Sequence, residues 1–183
     1  VLRKMVDKIH AHGGLAGIEP AHLGAGAANN YSREVPMGPA ARPIDLLEPV
    51  HARRMDKSDI KAFRKMHVDA AIRSKKAGFD IVYVYAGHDM TTLMHFLQSD
   101  RNDRTDEYGG SLENRVRLLR EVIEDTKGAI GNTCAVAVRL AVDEMRGKSG
   151  ISSDGEGREI VEMLAELPDL WDVNVSGWDN DSV

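Results

Sequence analysis

The sequence contains little cysteine, few aromatic residues and no long hydrophobic run. Cys134 is the single cysteine, which excludes a disulfide or a cysteine cluster within these 183 residues. No apolar run approaches the ~20 residues that a membrane-spanning helix needs. The formal net charge is −5, with both signs well mixed, which argues against a nucleic-acid or membrane-surface partner. We therefore expect a cytoplasmic protein with neither kind of partner.

The chain also lacks an initiating methionine. It begins at Val1, already inside an amphipathic pattern, and it ends directly after a strand-like run. Its 183 residues can bury one sizeable core. A complete (β/α) barrel typically needs about 250 residues. We therefore expect residues 1–183 to be an internal piece of one domain of a longer protein.

Helical and strand patterns alternate along the chain. Apolar residues at helical spacing predict four helices, over residues 1–11, 56–77, 111–128 and 156–167. β-Branched runs predict four strands, over residues 15–19, from Asp80 onward, and over 134–140 and 171–175. The intervening segment 20–55 is rich in Gly, Ala, Asn and Pro, and its place after a strand favours an active-site loop.

This alternation predicts parallel βαβ units. No GxGxxG follows any of the strands, which disfavours an open dinucleotide-binding sheet. The predicted fold is therefore α/β, a partial (β/α)8 TIM barrel of about four βα units.

The most informative stretch runs from Asp80 to Asp89. Its apolar, β-branched residues indicate a buried strand, which ends in a small-residue turn flanked by Tyr85 and His88. Barrel enzymes keep their chemistry at this end of a strand. Because the two side chains stand three residues apart across a turn, we expect a hydrogen-bonded pair in one cavity. The alternative is a tyrosine packed on the barrel rim beside a solvated histidine.

Three sequence patterns resemble one known family. The run Arg104–Arg115 (RTDEYGGSLENR) resembles the old yellow enzyme family of NADH:flavin oxidoreductases. The segment Ala77–Asp80 (AGFD) and the pattern Glu19-x-x-His22-x-Gly24 fit the same family. The resemblance implies an FMN-binding barrel to which this chain contributes the third to sixth strands.

One branch of that family fits better than the others. Ene-reductases of the family usually carry a proton-donating tyrosine where this chain has Met90, and a thioether cannot donate a proton. The spacing Tyr85-x-x-His88, the tail Trp171–Trp178 and the later Asp181 resemble the trimethylamine and dimethylamine dehydrogenase branch. This resemblance implies that Tyr85, His88 and Asp181 form a linked catalytic triad beside the flavin.

The resemblance also implies the cofactor-binding residues. Arg139 would face the N1 and C2 carbonyl of the flavin, and Glu19 would accept a hydrogen bond from flavin N3–H. A buried arginine needs an anionic or acceptor partner in any case. The alternative for Arg139 is therefore a purely structural ion pair with Asp143 or Glu144.

Three further positions each carry more than one interpretation. Trp178 matches a substrate-contacting tryptophan whose indole face would attract a cationic amine, and the alternative is a core or lid residue. Asp179 competes with Asp181 for the third place in the triad. We interpret His22 as a hydrogen-bonded structural residue of its loop, and the remaining histidines have no metal-ligand spacing.

The resemblance implies an activity and its partners. We expect oxidative N-demethylation of small-molecule alkylamines, with a hydride equivalent passed to flavin N5. Electrons would then leave through a 4Fe-4S cluster held downstream of this segment, toward an electron-acceptor protein. We expect the full-length protein to be a homodimer. The alternatives are an ene-reductase or dienoyl-CoA reductase of the same family, and a non-catalytic truncated barrel.

Overall fold

A computed structural model describes residues 1–28, 31–44, 50–147 and 150–176. The helices are α1 (Leu2–His10), α2 (Lys57–Ala77), α3 (Thr92–Leu97), α4 (Leu112–Ile130) and α5 (Glu156–Leu164). The strands are β1 (Gly17–Ile18), β2 (Met37–Gly38), β3 (Arg42–Pro43), β4 (His51–Arg54), β5 (Ile81–Ala86), β6 (Ala135–Asp143) and β7 (Leu170–Val175). None of the described helices is both long enough and apolar enough to cross a membrane.

Four parallel strands form the main sheet in the order β1-β5-β6-β7. Each strand therefore pairs with the next one of the βα series, which is the order of a barrel wall. Helix α4 packs on β5 and β6, and α5 packs on β6. The core between these layers consists mainly of aliphatic residues from β5, β6, α3 and α4. The predicted partial (β/α) barrel is confirmed.

Local sequence signals set most helix ends. Asp56 caps α2 and forms a capping box with Asp59, in which each side chain accepts from the other residue's backbone N–H. Gly78 ends the same helix in the left-handed region, at φ 98°. The Ser111 side chain caps α4 by accepting from the backbone N–H of Asn114. The predicted helix ranges 56–77 and 111–128 agree with these three ends.

Other boundaries differ from the predictions. Strand β6 continues to Asp143, three residues beyond the predicted end, because β7 keeps pairing with it after the pairing with β5 ends at Leu140. The predicted loop 20–55 contains a small sheet in the order β2-β4-β3, and α3 follows β5 where the sequence predicts only a loop. The helical spacing of apolar residues in α2 predicts an inward position for Met66, but this residue is 44 % exposed.

The Arg104–Arg115 motif connects three segments of the fold. Arg115 is buried, donates to the carbonyls of Leu97 and Gly110, and pairs with Glu156 at the start of α5. Arg104 is also buried and donates to the carbonyl of Met55. These backbone acceptors lie in different segments, so the motif joins the end of α3, the start of α5 and the loop before α2.

The amino end of the sheet carries the same clamp twice. Asp80 precedes β5 and accepts a 2.7 Å hydrogen bond from the backbone N–H of Ala16. Asp169 precedes β7 and accepts a 2.8 Å hydrogen bond from the backbone N–H of Val136. Each aspartate therefore ties its own strand to the start of the neighbouring strand. Cys134 lies buried at this end, and burial raises the pKa of its thiol.

Both outer strands of the main sheet have a free edge within the described residues. On β7 the side chains of Leu170, Val173 and Val175 are 45 %, 56 % and 59 % exposed. Unpaired edges and exposed apolar residues favour association, which a closed barrel avoids. We predict that the 183-residue chain expressed alone unfolds without a cooperative transition. Thermal denaturation followed by circular dichroism checks this, and a sharp transition from monomeric protein would contradict it.

Candidate active site

Cross-strand pairing aligns the candidate site residues of three neighbouring strands. Tyr85 on β5 pairs with Arg139 on β6, which pairs in turn with Asp172 on β7. Residues paired across parallel strands project from the same side of a sheet. Glu19, directly after β1, reaches the same row. The strand order therefore brings together side chains that are more than a hundred residues apart in sequence.

Arg139 lies between two carboxylates. Its Nη1 is 3.4 Å from Glu19 Oε2, and its Nε is 3.7 Å from Asp172 Oδ2. Its guanidinium carbon also lies 5.7 Å from the centre of the Tyr85 ring. The strand continues past this residue, so Arg139 lies within β6 and not at its predicted carboxyl end.

Arg139 forms its ion pairs with Glu19 and Asp172 instead of the Asp143 or Glu144 that the structural alternative names, and its role at the flavin stays a prediction. Asp143 accepts hydrogen bonds from the backbone N–H groups of Met145 and Ser153, and Glu144 accepts from that of Ile151. Both carboxylates thus serve the loop after β6. Arg139 instead has a buried Nε atom with no hydrogen-bond partner among the described residues. A buried donor of this kind is available to a further acceptor.

Tyr85 and His88 form the predicted pair. The Tyr85 hydroxyl is hydrogen-bonded to His88 Nδ1, and the two rings meet at 65° with their centres 5.7 Å apart. Burial, followed by the nearby Glu19 charge, raises the pKa of Tyr85 to about 12. Burial and the positive charge of Arg139 lower the pKa of His88. Near neutral pH the pair is therefore a protonated phenol beside a neutral imidazole.

The turn that carries His88 has an unusual backbone. His88 and Asp89 are consecutive non-glycine residues in the left-handed region, at φ 57° and 54°. The Asp89 side chain accepts from Gln98 and pairs with Arg101, and its backbone carbonyl lies 3.1 Å from His95 Nε2. These contacts offset the strain of the turn. Sequence reasoning missed them because His95 lies on a helix that it did not predict, and Gln98 and Arg101 follow directly after that helix.

Gly87 makes room for this turn. A Cβ atom at this position would lie 3.0 Å from the Tyr85 ring and 3.0 Å from Asn174 Oδ1. Asn174 projects from β7, and its Nδ2 is 3.4 Å from His88 Nε2. Asn174 is thus a residue beside the Tyr85–His88 pair that the sequence did not reveal, because it lies between two valines in an ordinary strand pattern.

His22 has the structural role that the sequence predicts. Its Nδ1 is 2.7 Å from Thr92 Oγ1, and its carbonyl accepts from the Thr92 N–H at 2.9 Å. Burial lowers the pKa of its imidazole. These contacts join the loop after β1 to the start of α3. Trp178, Asp179 and Asp181 lie outside the described residues.

Known proteins match nearly the whole chain. The structure superimposes on 6-hydroxypseudooxynicotine amine oxidase from Pseudomonas geniculata N1 with a TM-score of 0.94 and 50 % identity, over 97 % of this chain and 27 % of that one. Histamine dehydrogenase from Rhizobium sp. 4-9 matches with a TM-score of 0.92 and 50 % identity, over 97 % and 26 %. Dimethylamine dehydrogenase from Hyphomicrobium sp. (strain x) is 34 % identical over 95 % of this chain and 24 % of its own length.

Reductases match as well. Cinnamate reductase from Clostridium sporogenes is 34 % identical over 76 % of this chain and 21 % of its own length. The chain thus spans about a quarter of the length of these relatives. A family model matches residues 1–178. The chain, with its row of Glu19, Tyr85 and Arg139, therefore belongs to the NADH:flavin oxidoreductase / NADH oxidase family.

Proposed function

We propose that this chain forms part of the active site of an FMN-dependent amine dehydrogenase. The observation that carries the proposal is the Tyr85–His88 hydrogen bond beside the Glu19–Arg139 ion pair. Amine oxidation requires a group that accepts a proton, because an ammonium ion has no lone pair to assist the reaction. A neutral histidine in contact with a tyrosine provides that group.

The residues present fit the cofactor. The pyrimidine edge of a flavin presents an N–H donor and carbonyl acceptors. Glu19 offers a carboxylate acceptor and Arg139 offers planar donors, and their side chains are 30 % and 34 % exposed, so both remain accessible. The buried Arg139 Nε without a hydrogen-bond partner among the described residues supports the same assignment. Bound FMN would supply the two-electron acceptor for a hydride equivalent from the substrate.

The side chains of this chain accept the proton that the substrate ammonium group must lose. A substrate carbon that loses a hydride equivalent leaves an iminium ion, and water then splits this ion into a carbonyl compound and a shorter amine. The nitrogen must be neutral before the C–H bond breaks. We propose that His88 accepts the ammonium proton, either directly or through the Tyr85 hydroxyl. Burial and, after it, the charge of Arg139 lower the pKa of His88, which supports this role.

The finer assignment is a small alkylamine that undergoes N-demethylation. Relatives named for dimethylamine and histamine support an amine substrate. We propose that Trp178 binds its cationic form and that Asp181 is the third member of the triad. We also propose that residues 1–183 are part of one FMN-binding barrel domain. In the whole protein, a 4Fe-4S cluster would pass electrons to an acceptor protein, and the protein would be a homodimer.

A second candidate function is reduction of an activated alkene, which the cinnamate reductase match favours. That reaction needs a proton donor opposite the hydride. Met90 occupies the position where related ene-reductases usually carry a tyrosine, and its thioether cannot donate. The amine reading is therefore preferred.

Arg139→Lys should weaken the flavin site. Lysine keeps the positive charge but loses the planar fork that can donate in parallel. We expect the intact protein with this substitution to lose FMN or to lower its flavin reduction potential. Flavin content after gel filtration and a spectroelectrochemical titration measure both quantities. Unchanged content together with an unchanged potential would remove Arg139 from the cofactor site.

His88→Gln should slow the reduction of bound flavin by an amine by about 10²- to 10⁴-fold while FMN stays bound. Only neutral His88 accepts a proton, and its pKa lies below the ordinary value of 6.5. The wild-type rate should therefore rise as pH increases through a value below 6.5, and this step should vanish in His88→Gln. Stopped-flow bleaching of the flavin measures the rate.

His10→Gln is the matched control, because His10 lies at the opposite end of the sheet, 2.8 Å from Asp80. It should keep the wild-type rate and pH profile. Equal losses in both variants would mean that the effect of His88→Gln is not specific to the site.

Amines and enones should distinguish the two candidate functions. We expect secondary or tertiary methylamines to bleach the oxidised flavin quickly, and cyclohexenone to reoxidise the reduced flavin slowly. Anaerobic stopped-flow absorbance measures both reactions on the same preparation. If enones reoxidise the flavin quickly and no amine reduces it, the alkene-reductase function is correct and the proposed function is wrong.

A further inference from the structure

Asp172 is an unusual residue for the middle of a strand. It lies in β7 between Val173 and Trp171, the second of which packs on the core. Aspartate is depleted from strands, and the strands of parallel sheets are mostly apolar. Its direct partner in β6 is Arg139, and paired residues project from the same face of a sheet. The presence of Asp172 on this face therefore needs a reason other than the stability of the strand.

The contact of Asp172 differs in kind from those of other aspartates of the sheet. Asp80, Asp143 and Asp169 accept hydrogen bonds from backbone N–H groups, and so hold strand ends and a loop. The Asp172 carboxylate instead approaches a side chain, with its Oδ2 3.7 Å from Arg139 Nε. This distance is longer than that of a hydrogen bond, so the contact acts through charge.

Two carboxylates share one guanidinium. Arg139 Nη1 lies 3.4 Å from Glu19 Oε2, while Asp172 approaches a different nitrogen of the same group. Burial by itself would lower the pKa of Arg139, but Glu19 and Asp172 raise it above its ordinary value. One positive and two negative charges leave the cluster with a net charge of −1. A further negative charge beside Arg139 is therefore less favourable than it would be without Asp172.

We propose that Asp172 is a positioning residue that acts on bound FMN through Arg139 and lowers the reduction potential of the flavin. This inference rests on the proposed function, in which Arg139 contacts the pyrimidine edge. Reduction adds negative charge to the flavin, which the guanidinium favours and the Asp172 carboxylate opposes. The reduced flavin must give up its electrons after each turnover, and a lower potential favours that transfer. Asp172 touches neither flavin nor substrate in this role.

The same carboxylate also acts on His88. The charged groups that influence this histidine are Arg139 on β6, Glu19 after β1 and Asp172 on β7, and the nearby Tyr85 phenol is protonated. Burial and Arg139 lower the pKa of His88, while Glu19 and Asp172 raise it. A neutral residue in place of Asp172 should therefore lower the pKa of His88 further. This shift is a second readout that does not depend on where the flavin lies.

Asp172→Asn in the intact flavoprotein tests the inference, because it keeps the shape of the side chain and removes its charge. We expect the equilibrium between oxidised and reduced flavin to move about tenfold toward the reduced form, which is about 30 mV for a two-electron couple. The effect is modest because the side chains of Asp172 and Arg139 are 39 % and 34 % exposed, and solvent screens the pair. A spectroelectrochemical titration measures the potential.

Two further variants separate charge from packing. Asp172→Glu keeps the charge, so its potential should stay close to that of the wild type. Glu124→Gln removes one negative charge from the exposed face of α4, and it should change neither the potential nor the pKa of His88. Deuterium exchange at the imidazole C2 position, followed by mass spectrometry, reports the histidine pKa values. His67, whose pKa burial lowers to about 4, is the internal reference.

The outcomes separate this inference from the proposed function. An unchanged potential in Asp172→Asn overturns the inference, even if the pKa of His88 falls, because the charge would then not reach the flavin. An equal rise in Asp172→Glu overturns it as well, because packing would explain the effect. If the potential rises as expected but no amine reduces the flavin, Asp172 acts on the flavin and the proposed function is wrong. If Asp172→Asn fails to fold, the potential of Asp172→Thr, a neutral variant that favours strands, decides the matter.

Discussion

The site depends on a guanidinium held between carboxylates that come from different strands. Removing an arginine from water is costly unless acceptors surround it, and Glu19 and Asp172 both lie within 4 Å of Arg139. Their side chains keep partial solvent contact, so the cluster is not sealed. The register of the strands places these side chains side by side, because Tyr85 and Asp172 are the direct cross-strand partners of Arg139. A slip of β6 by one residue would turn Arg139 to the other face of the sheet, away from Tyr85 and Asp172.

The charges of Arg139 and Glu19 shift the pKa values of the neighbouring Tyr85 and His88. Arg139 opposes protonation of His88 and partly offsets the effect of Glu19 on the pKa of Tyr85.

The hydrogen bonds of Gln98 hold the turn after β5 in place. Gln98 donates to both Asp89 and Glu144, and so connects the loop after β5 to the loop after β6. The backbone of His88 is thereby held in a conformation that few side chains adopt unaided.

Sequence reasoning succeeded where a signal is local or periodic. The Asp56 and Ser111 caps and the Gly78 terminator depend on a few consecutive residues, and the βα alternation gave the fold class. The Tyr85–His88 contact follows from a three-residue spacing across one turn. Asn174 and Gln98 were missed because their roles come from contacts 86 and 46 residues away. The end of β6 was missed because pairing with β7, and not local propensity, sets it.

The two aspartate clamps at the amino end of the sheet show a different principle of construction. Asp80 and Asp169 each stand just before a strand and hold the backbone N–H of the strand beside it. This contact occurs at two of the three junctions between strands, β1–β5 and β6–β7. In the row of Glu19, Tyr85, Arg139 and Asp172, by contrast, neighbouring strands supply different functional groups. The amino end of the sheet can therefore keep the same stabilising contacts while the functional side chains toward the other end change. New chemistry can thus arise on an unchanged fold.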